Sequence, residues 1–164
     1  RSLKVSPVAL KLGEQNFVTS FRDYCKVHQD VVLAGKLVYL LRNESKRGLG
    51  FFEANNFYPD FILWILDGEK QYITFIDPKG IRNLKGLEDD KIQLFKYLQT
   101  EVASQLGNAH LMLNSFIISN TPMEQVEFWL KNPFEKGEFQ KNHVLFKDDK
   151  GYLETMVDMI LQYM

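Results

Sequence analysis

Two apolar runs, 61–66 and 72–76, are separated by Asp67, Gly68, Glu69 and Lys70, and no other stretch constrains the chain as much. Short apolar runs with a charged, glycine-containing break between them read as two strands of a hairpin. With Leu66 paired to Gln71, continuing the ladder sets Asp60 opposite Asp77. Residues opposite one another in an antiparallel pair project to one face, with Cβ atoms roughly 4.5–5.5 Å apart. Side chains alternate along a strand, so Lys79 shares that face with Asp77. The expected register therefore gathers two carboxylates and an ammonium, and a slip of one residue would scatter them.

Like charges directly opposite are destabilising, and more so beside apolar runs, where water is scarce. A hard divalent cation such as Mg²⁺ offsets the repulsion, since it takes a few carboxylate oxygens and keeps several waters. Such a site points to metal-assisted hydrolysis, with Lys79 orienting the attacking water or steadying negative charge that develops on a phosphate. The plainer alternative is a lysine–carboxylate ion pair that closes a hairpin. The bare pattern of acid, any residue, lysine carries little weight, because it occurs at Glu44–Lys46, Asp77–Lys79, Asp89–Lys91 and Asp148–Lys150. Only the Asp77 copy ends an apolar strand with a Pro-Asp, Pro59-Asp60, at hairpin distance.

The 164 residues suit one domain with a full hydrophobic core. Apolar residues at 45% and charged residues at 25% exclude disorder as a property of the whole chain. The lone Cys25 cannot form an internal disulfide and fits a reducing, cytoplasmic setting; within a predicted helix it reads as a buried structural thiol. No apolar run has the length of a membrane span, no secretory signal opens the sequence, and the start at Arg1 reads as a fragment of a longer protein. Net charge is −1, but 36–47 carries Lys36, Arg42, Lys46 and Arg47 against Glu44, and 77–85 carries Lys79, Arg82 and Lys85 against Asp77. Such stretches either hold phosphates or form a solvated face. His28, His110 and His143 lack zinc-site spacing, and neither a P-loop nor a Ser-His-Asp arrangement is evident.

Periodicity predicts an extended lead-in over 5–12 and a helix over 14–28, with Phe17, Phe21 and Tyr24 facing the core. The run 37–41 reads as a buried strand and 49–53 as a further short one. A helix over 88–106 carries Ile92, Phe95, Leu98, Val102 and Leu106 on one side. A strand follows over 110–119, a helix from Pro122 to about 130, a loop over 132–142, a strand over 143–146 and a helix over 152–163. This order reads as a layered α/β domain.

Pro59-Asp60, then Asp77-Pro78-Lys79 after a hairpin, resembles the PD-(D/E)xK nuclease motif. The stretches 57–64 and 76–80, with the Gly13-Glu14 helix start and Leu41-Arg42-Asn43, resemble the C-terminal endonuclease-like domain of DEAD/DEAH-box helicases related to type III restriction subunits. The resemblance covers roughly residues 3–100 and is weak beyond Leu106. It implies a restriction-endonuclease-like core, a mixed β-sheet flanked by helices in αβββαβ order. It also implies that 1–164 is a single endonuclease-like domain, the C-terminal part of a helicase-nuclease. Asp60 and Asp77 would then hold Mg²⁺ or Mn²⁺ with the Pro78 carbonyl nearby, and Lys79 would be the catalytic lysine. Glu14 would complete the site, although a carboxylate there also suits the helix dipole, and Glu53 competes with it. Gln93 and Tyr97 match a QxxxY pair that some members turn toward DNA from one helix face, the alternative being two ordinary surface residues. Arg42 and Arg82 are candidate phosphate contacts. The implied activity is metal-dependent cutting of DNA beside an ATP-driven helicase module of the same chain, with other subunits, in restriction or anti-phage defence. An inactive DNA-binding or docking module and a structure-specific repair nuclease or resolvase are the alternatives.

Overall fold

The computed structural model describes residues 9–130 and 134–162, with backbone alone for 127–130. Helix α1 spans Leu12–His28 and strands β1, β2 and β3 span Leu37–Arg42, Phe61–Asp67 and Lys70–Lys79. Helix α2 (Asp90–Tyr97) runs through a π-turn at Leu98–Val102 into α3 (Ala103–Leu106). Strand β4 (Leu111–Ser119), helices α4 (Met123–Leu130) and α5 (Lys136–Lys141), strand β5 (Val144–Phe146) and helix α6 (Tyr152–Leu161) complete the order. The five strands form one mixed sheet in sequence order: β1, β2 and β3 antiparallel, β4 and β5 added in parallel.

Alternation along the strands splits the core into two layers. On one face Phe61, Leu63, Ile65, Tyr72, Ile76, Phe116 and Ile118 pack against α1 and α6. Phe17 and Met156 are fully buried there, and Phe17→Ala would cost about 3–5 kcal/mol. On the other face Phe75, Leu113 and Ile117 pack beneath Ile92, Leu94 and Leu98 of the helical segment after β3. The chain is thus an α/β protein with helices on both faces of a five-stranded mixed sheet.

The hairpin follows the expected register, with Leu66 opposite Gln71 and Phe61 opposite Ile76. Pairing runs one step further than a four-residue turn would allow, to Asp67 and Lys70, leaving Gly68-Glu69 as the turn with Gly68 at φ 58°. That left-handed conformation costs glycine nothing.

Several expectations fail, each for a physical reason. Strand β1 is the sheet edge rather than a buried strand: Val38 and Leu40 pack inward, while Leu37, Tyr39 and Leu41 are exposed. The helices of that face cover β4 and leave β1 bare. Residues 49–53 form no strand; only a bridge between Phe51 and Phe57 survives among turns. The expected loop over 132–142 contains α5, whose Phe139 is fully buried, while 131–133 lie outside the described residues. The end of the 88–106 stripe is displaced, because the extra residue of the π-turn rotates the next helical turn by roughly 100° and leaves Leu106 exposed. Cys25 is half-buried, and burial raises its thiol pKa. Half of the predicted lead-in, 5–8, lies outside the described residues, and its last residue, Leu12, is helical.

No described helix is long and apolar enough to cross a membrane.

Candidate active site

Strand β3 outruns β2. The last β2–β3 pair is Phe61 with Ile76, so Asp77, Pro78 and Lys79 pair only with Ile117, Ile118 and Ser119 of β4. Pro78 is tolerated in this ten-residue strand because β2 has already ended beside it. Asp60 sits in a bend one residue before β2. Asn43, just past β1, holds it there: its N–H donates to the Asp60 carbonyl at 2.8 Å, and its side-chain amide donates to the carbonyls of Pro59 and Leu49 at 2.8 Å each. The Leu49 N–H returns a bond to Asn43 Oδ1 at 2.9 Å. Gly48 lies so close that an added Cβ would come within 2.0 Å of that oxygen.

Beyond the ladder the two acids meet. Asp77 is 4% exposed, and Asp60 shares a side-chain hydrogen bond with it. Burial first, then that hydrogen bond, then the charges of Asp77 and Glu14, push Asp60 up to about 8, with Lys79 pulling the other way. Two carboxylates in contact do not readily both ionise, which favours the protonated form of Asp60. Lys79 forms a close ion pair with Asp77, and its Nζ stands 4.4 Å from the centroid of the Phe57 ring.

Glu14 arrives from the first turn of α1. It is buried, its carboxylate accepts the Lys11 N–H at 3.1 Å, and it faces Arg42 at 3.9 Å. Glu14, Asp60, Asp77, Pro78 and Lys79 line one open cleft of about 690 Å³. Glu53 is exposed and lies outside it, so of the two competing acids the fold brings Glu14 to the pair.

The other expected contacts are not gathered there. Gln93 spends its amide inside the protein, donating to the Leu87 carbonyl at 2.6 Å and to Asn142 Oδ1 at 2.9 Å. Tyr97 packs against the second core layer, and neither residue lines the cleft. Gln93 thus reaches Asn142, just past α5, a neighbour that helical spacing does not reveal. Arg82 bonds to Gln125 and Arg42 pairs with Glu14; both side chains stand outside the cleft lining.

Sequence reasoning missed Lys11, Lys91 and Asn120, which all line the cleft. Lys91 belongs to one of the acid–x–lysine copies to which spacing alone gives no weight; its Nζ lies 5.6 Å from the Phe57 ring, and Asp89 of that copy caps α2. Asn120 is anchored by its N–H to the Lys79 carbonyl at 2.9 Å, and its amide fills the space a side chain at Gly13 would need. Only contact across the fold identifies it. The histidines are structural or peripheral: His28 stacks on Tyr24, His143 lies between Phe95 and Phe116, and His110 is on the surface.

Among the described residues no group of three or more His, Cys, Asp or Glu forms a ready cation cage. Asp60 and Asp77, once both are ionised, are a donor set Mg²⁺ tolerates, since it takes one or two carboxylates and keeps much of its own water. Comparisons of the chain with protein-family models, with curated proteins and with solved structures gave no match.

Proposed function

We propose that this chain is a metal-dependent endodeoxyribonuclease domain of the PD-(D/E)xK kind, with a restriction-endonuclease-like core. One observation carries the reading: Asp60 from the bend before β2, Asp77 and Lys79 from β3, and Glu14 from α1 converge in one open cleft. Burying like charges together costs stability, and burial beside Asp77 and Glu14 pushes Asp60 up to about 8. Mg²⁺ or Mn²⁺ would be held by Asp60 and Asp77, with the Pro78 carbonyl and Glu14 beside them. When bound, the metal supplies Lewis acidity to a phosphodiester and lowers the pKa of water.

The protein's own contributions come from its contacts. Asp77 holds the Lys79 ammonium at the cleft, where its charge favours a phosphate that gains negative charge. Phe57 supports the same ammonium from its ring face without neutralising it. Arg42 steadies Glu14 from outside the cleft. The same resemblance proposes a larger cytoplasmic helicase-nuclease in restriction or anti-phage defence, partnered by its own ATPase module.

The experiment is incubation of the chain with plasmid and linear DNA in Mg²⁺ or Mn²⁺, beside Asp60→Ala and Lys79→Ala. Metal-dependent cutting that both substitutions abolish supports the assignment; cutting that survives both rejects it. DNA binding without cutting, unchanged by either substitution, would favour a non-catalytic module whose acids are only structural.

A further inference from the structure

The ring of Phe57 serves two ammonium groups, and the proposed chemistry uses only one of them. Lys79 Nζ stands 4.4 Å from the ring centroid and Lys91 Nζ 5.6 Å from it. Phe57 is buried, and both lysines line the cleft together with the acids. The two cations differ in what holds them. Lys79 forms a close ion pair with Asp77. Lys91 has no ion pair with any described residue.

The acids beside Lys91 in sequence are committed elsewhere. Asp89 caps α2 and accepts the N–H groups of Lys85 and Lys91 at 3.0 Å each. Asp90 accepts from the Asn55 amide at 2.8 Å. The first contact fixes the Lys91 backbone in the first turn of α2, and the second ties that turn to the segment that carries Phe57. Helix stability does not favour a cation at this place. The free N–H groups give the first turn a partial positive charge, which suits acids and repels lysine. The ring attracts the ammonium without removing its charge. Lys91 is therefore a half-buried, uncompensated cation at the cleft, near a second cation over the same ring. An anion entering the cleft offsets that charge.

We propose that Lys91 is a substrate-binding residue that takes a backbone phosphate of the DNA strand next to the phosphate facing Lys79. The inference rests on the nuclease reading above and names a group that seats the strand. The roles divide by pairing: Asp77 holds Lys79 at the acids, where the bond is cut, and Lys91, with no acid on it, supplies affinity. A lysine meets phosphate as a point charge and reads no base, so the contact is independent of DNA sequence.

The test measures binding of two duplex oligonucleotides of unrelated sequence in EDTA, so that no strand is cut, between about 50 and 200 mM salt. Wild type is compared with Lys91→Gln, Lys91→Arg and Lys70→Gln, with melting temperatures as the folding control. Lys70 is exposed at the opposite end of β3 from Lys79, so its variant makes the same change of net charge away from the cleft. Lys91→Gln should weaken binding about ten-fold on both duplexes and reduce the slope of log affinity against log salt by about one. Lys91→Arg should keep both, and Lys70→Gln should match wild type. Should Lys91→Gln lose its fold, Lys91→Met, which keeps the stem over the ring, replaces it in the same comparison. Steady-state cutting in Mg²⁺ should show the loss in KM, with kcat within about two-fold of wild type. Unchanged affinity and salt slope in Lys91→Gln overturn the inference, and so does a fall in kcat at constant KM, which would assign Lys91 to the chemistry instead. If wild type cuts DNA through Asp60 and Lys79 while Lys91→Gln behaves as wild type, the inference alone fails. If wild type neither binds nor cuts nucleic acid, the nuclease reading fails and takes the inference with it.

Discussion

Asp60 and Asp77 share a hydrogen bond one step past the last rung between β2 and β3, where the ladder that aligned them has ended. The hairpin sets their register, and Asn43 fixes the bend that lets Asp60 reach Asp77.

The shared proton makes stability depend on pH. An unfolded chain releases it near the ordinary carboxylate value, whereas the folded protein keeps it up to about 8. The folded state binds more protons in between, so metal-free stability is greatest below about pH 4 as far as this group is concerned. It falls as pH rises toward 8. Allowing for solvent at the partly exposed carboxyl, the loss is on the order of 1–2 kcal/mol. Calorimetry in EDTA should show a melting temperature that declines over this window, and Asp60→Asn should remove most of the decline. Added Mg²⁺ should stabilise more at pH 8 than at pH 5. A wild-type profile identical to that of Asp60→Asn would contradict the shared proton.

The choice between the two competing acids gives a paired comparison. Glu14→Gln should lower cutting by about 10–100-fold, as loss of a carboxylate that supports a metal site does. Glu53→Gln, at an exposed position outside the cleft, should leave it within about two-fold. Plasmid nicking rates at matched Mg²⁺ decide; equal effects would remove Glu14 from the site.

Asn43 is predicted to be costly to truncate. Asn43→Ala breaks two donated bonds and one accepted bond at a buried position, for about 2–3 kcal/mol and a drop of roughly 5–10 °C in melting temperature. Gly48→Ala should also destabilise, because its Cβ would collide with the same amide. Thermal melts followed by circular dichroism test both, and a loss under 1 °C in Asn43→Ala would dismiss the clamp.

His143 should titrate far below an ordinary imidazole. Burial between Phe95 and Phe116 lowers it to about 4, with Lys96 adding to the fall and the Ser115 carbonyl, which accepts from Nδ1, opposing it. The unfolded chain takes up that proton near 6.5, so this residue's contribution to stability is complete above pH 6.5 and is lost as pH falls toward 4. NMR of the ring signals should place the midpoint near 4; a midpoint near 6.5 would show a solvated ring.

The hairpin, its register and the meeting of Asp60, Asp77 and Lys79 were legible in the chain because they depend on local rules: a short turn, a period of two and pairing of near neighbours in sequence. Helix α1 and strand β4 were legible for the same reason, since a long periodic run carries its own signal. The edge position of β1, the exposure of Leu106 after a π-turn and the helix around Phe139 were not. Each depends on which distant element covers a face, and apolar composition is the same whether or not the cover arrives. The roles of Asn43, Lys91 and Asn120, and the internal bonds of Gln93, likewise came only with the tertiary structure, because their partners lie far away in sequence and no spacing rule connects them.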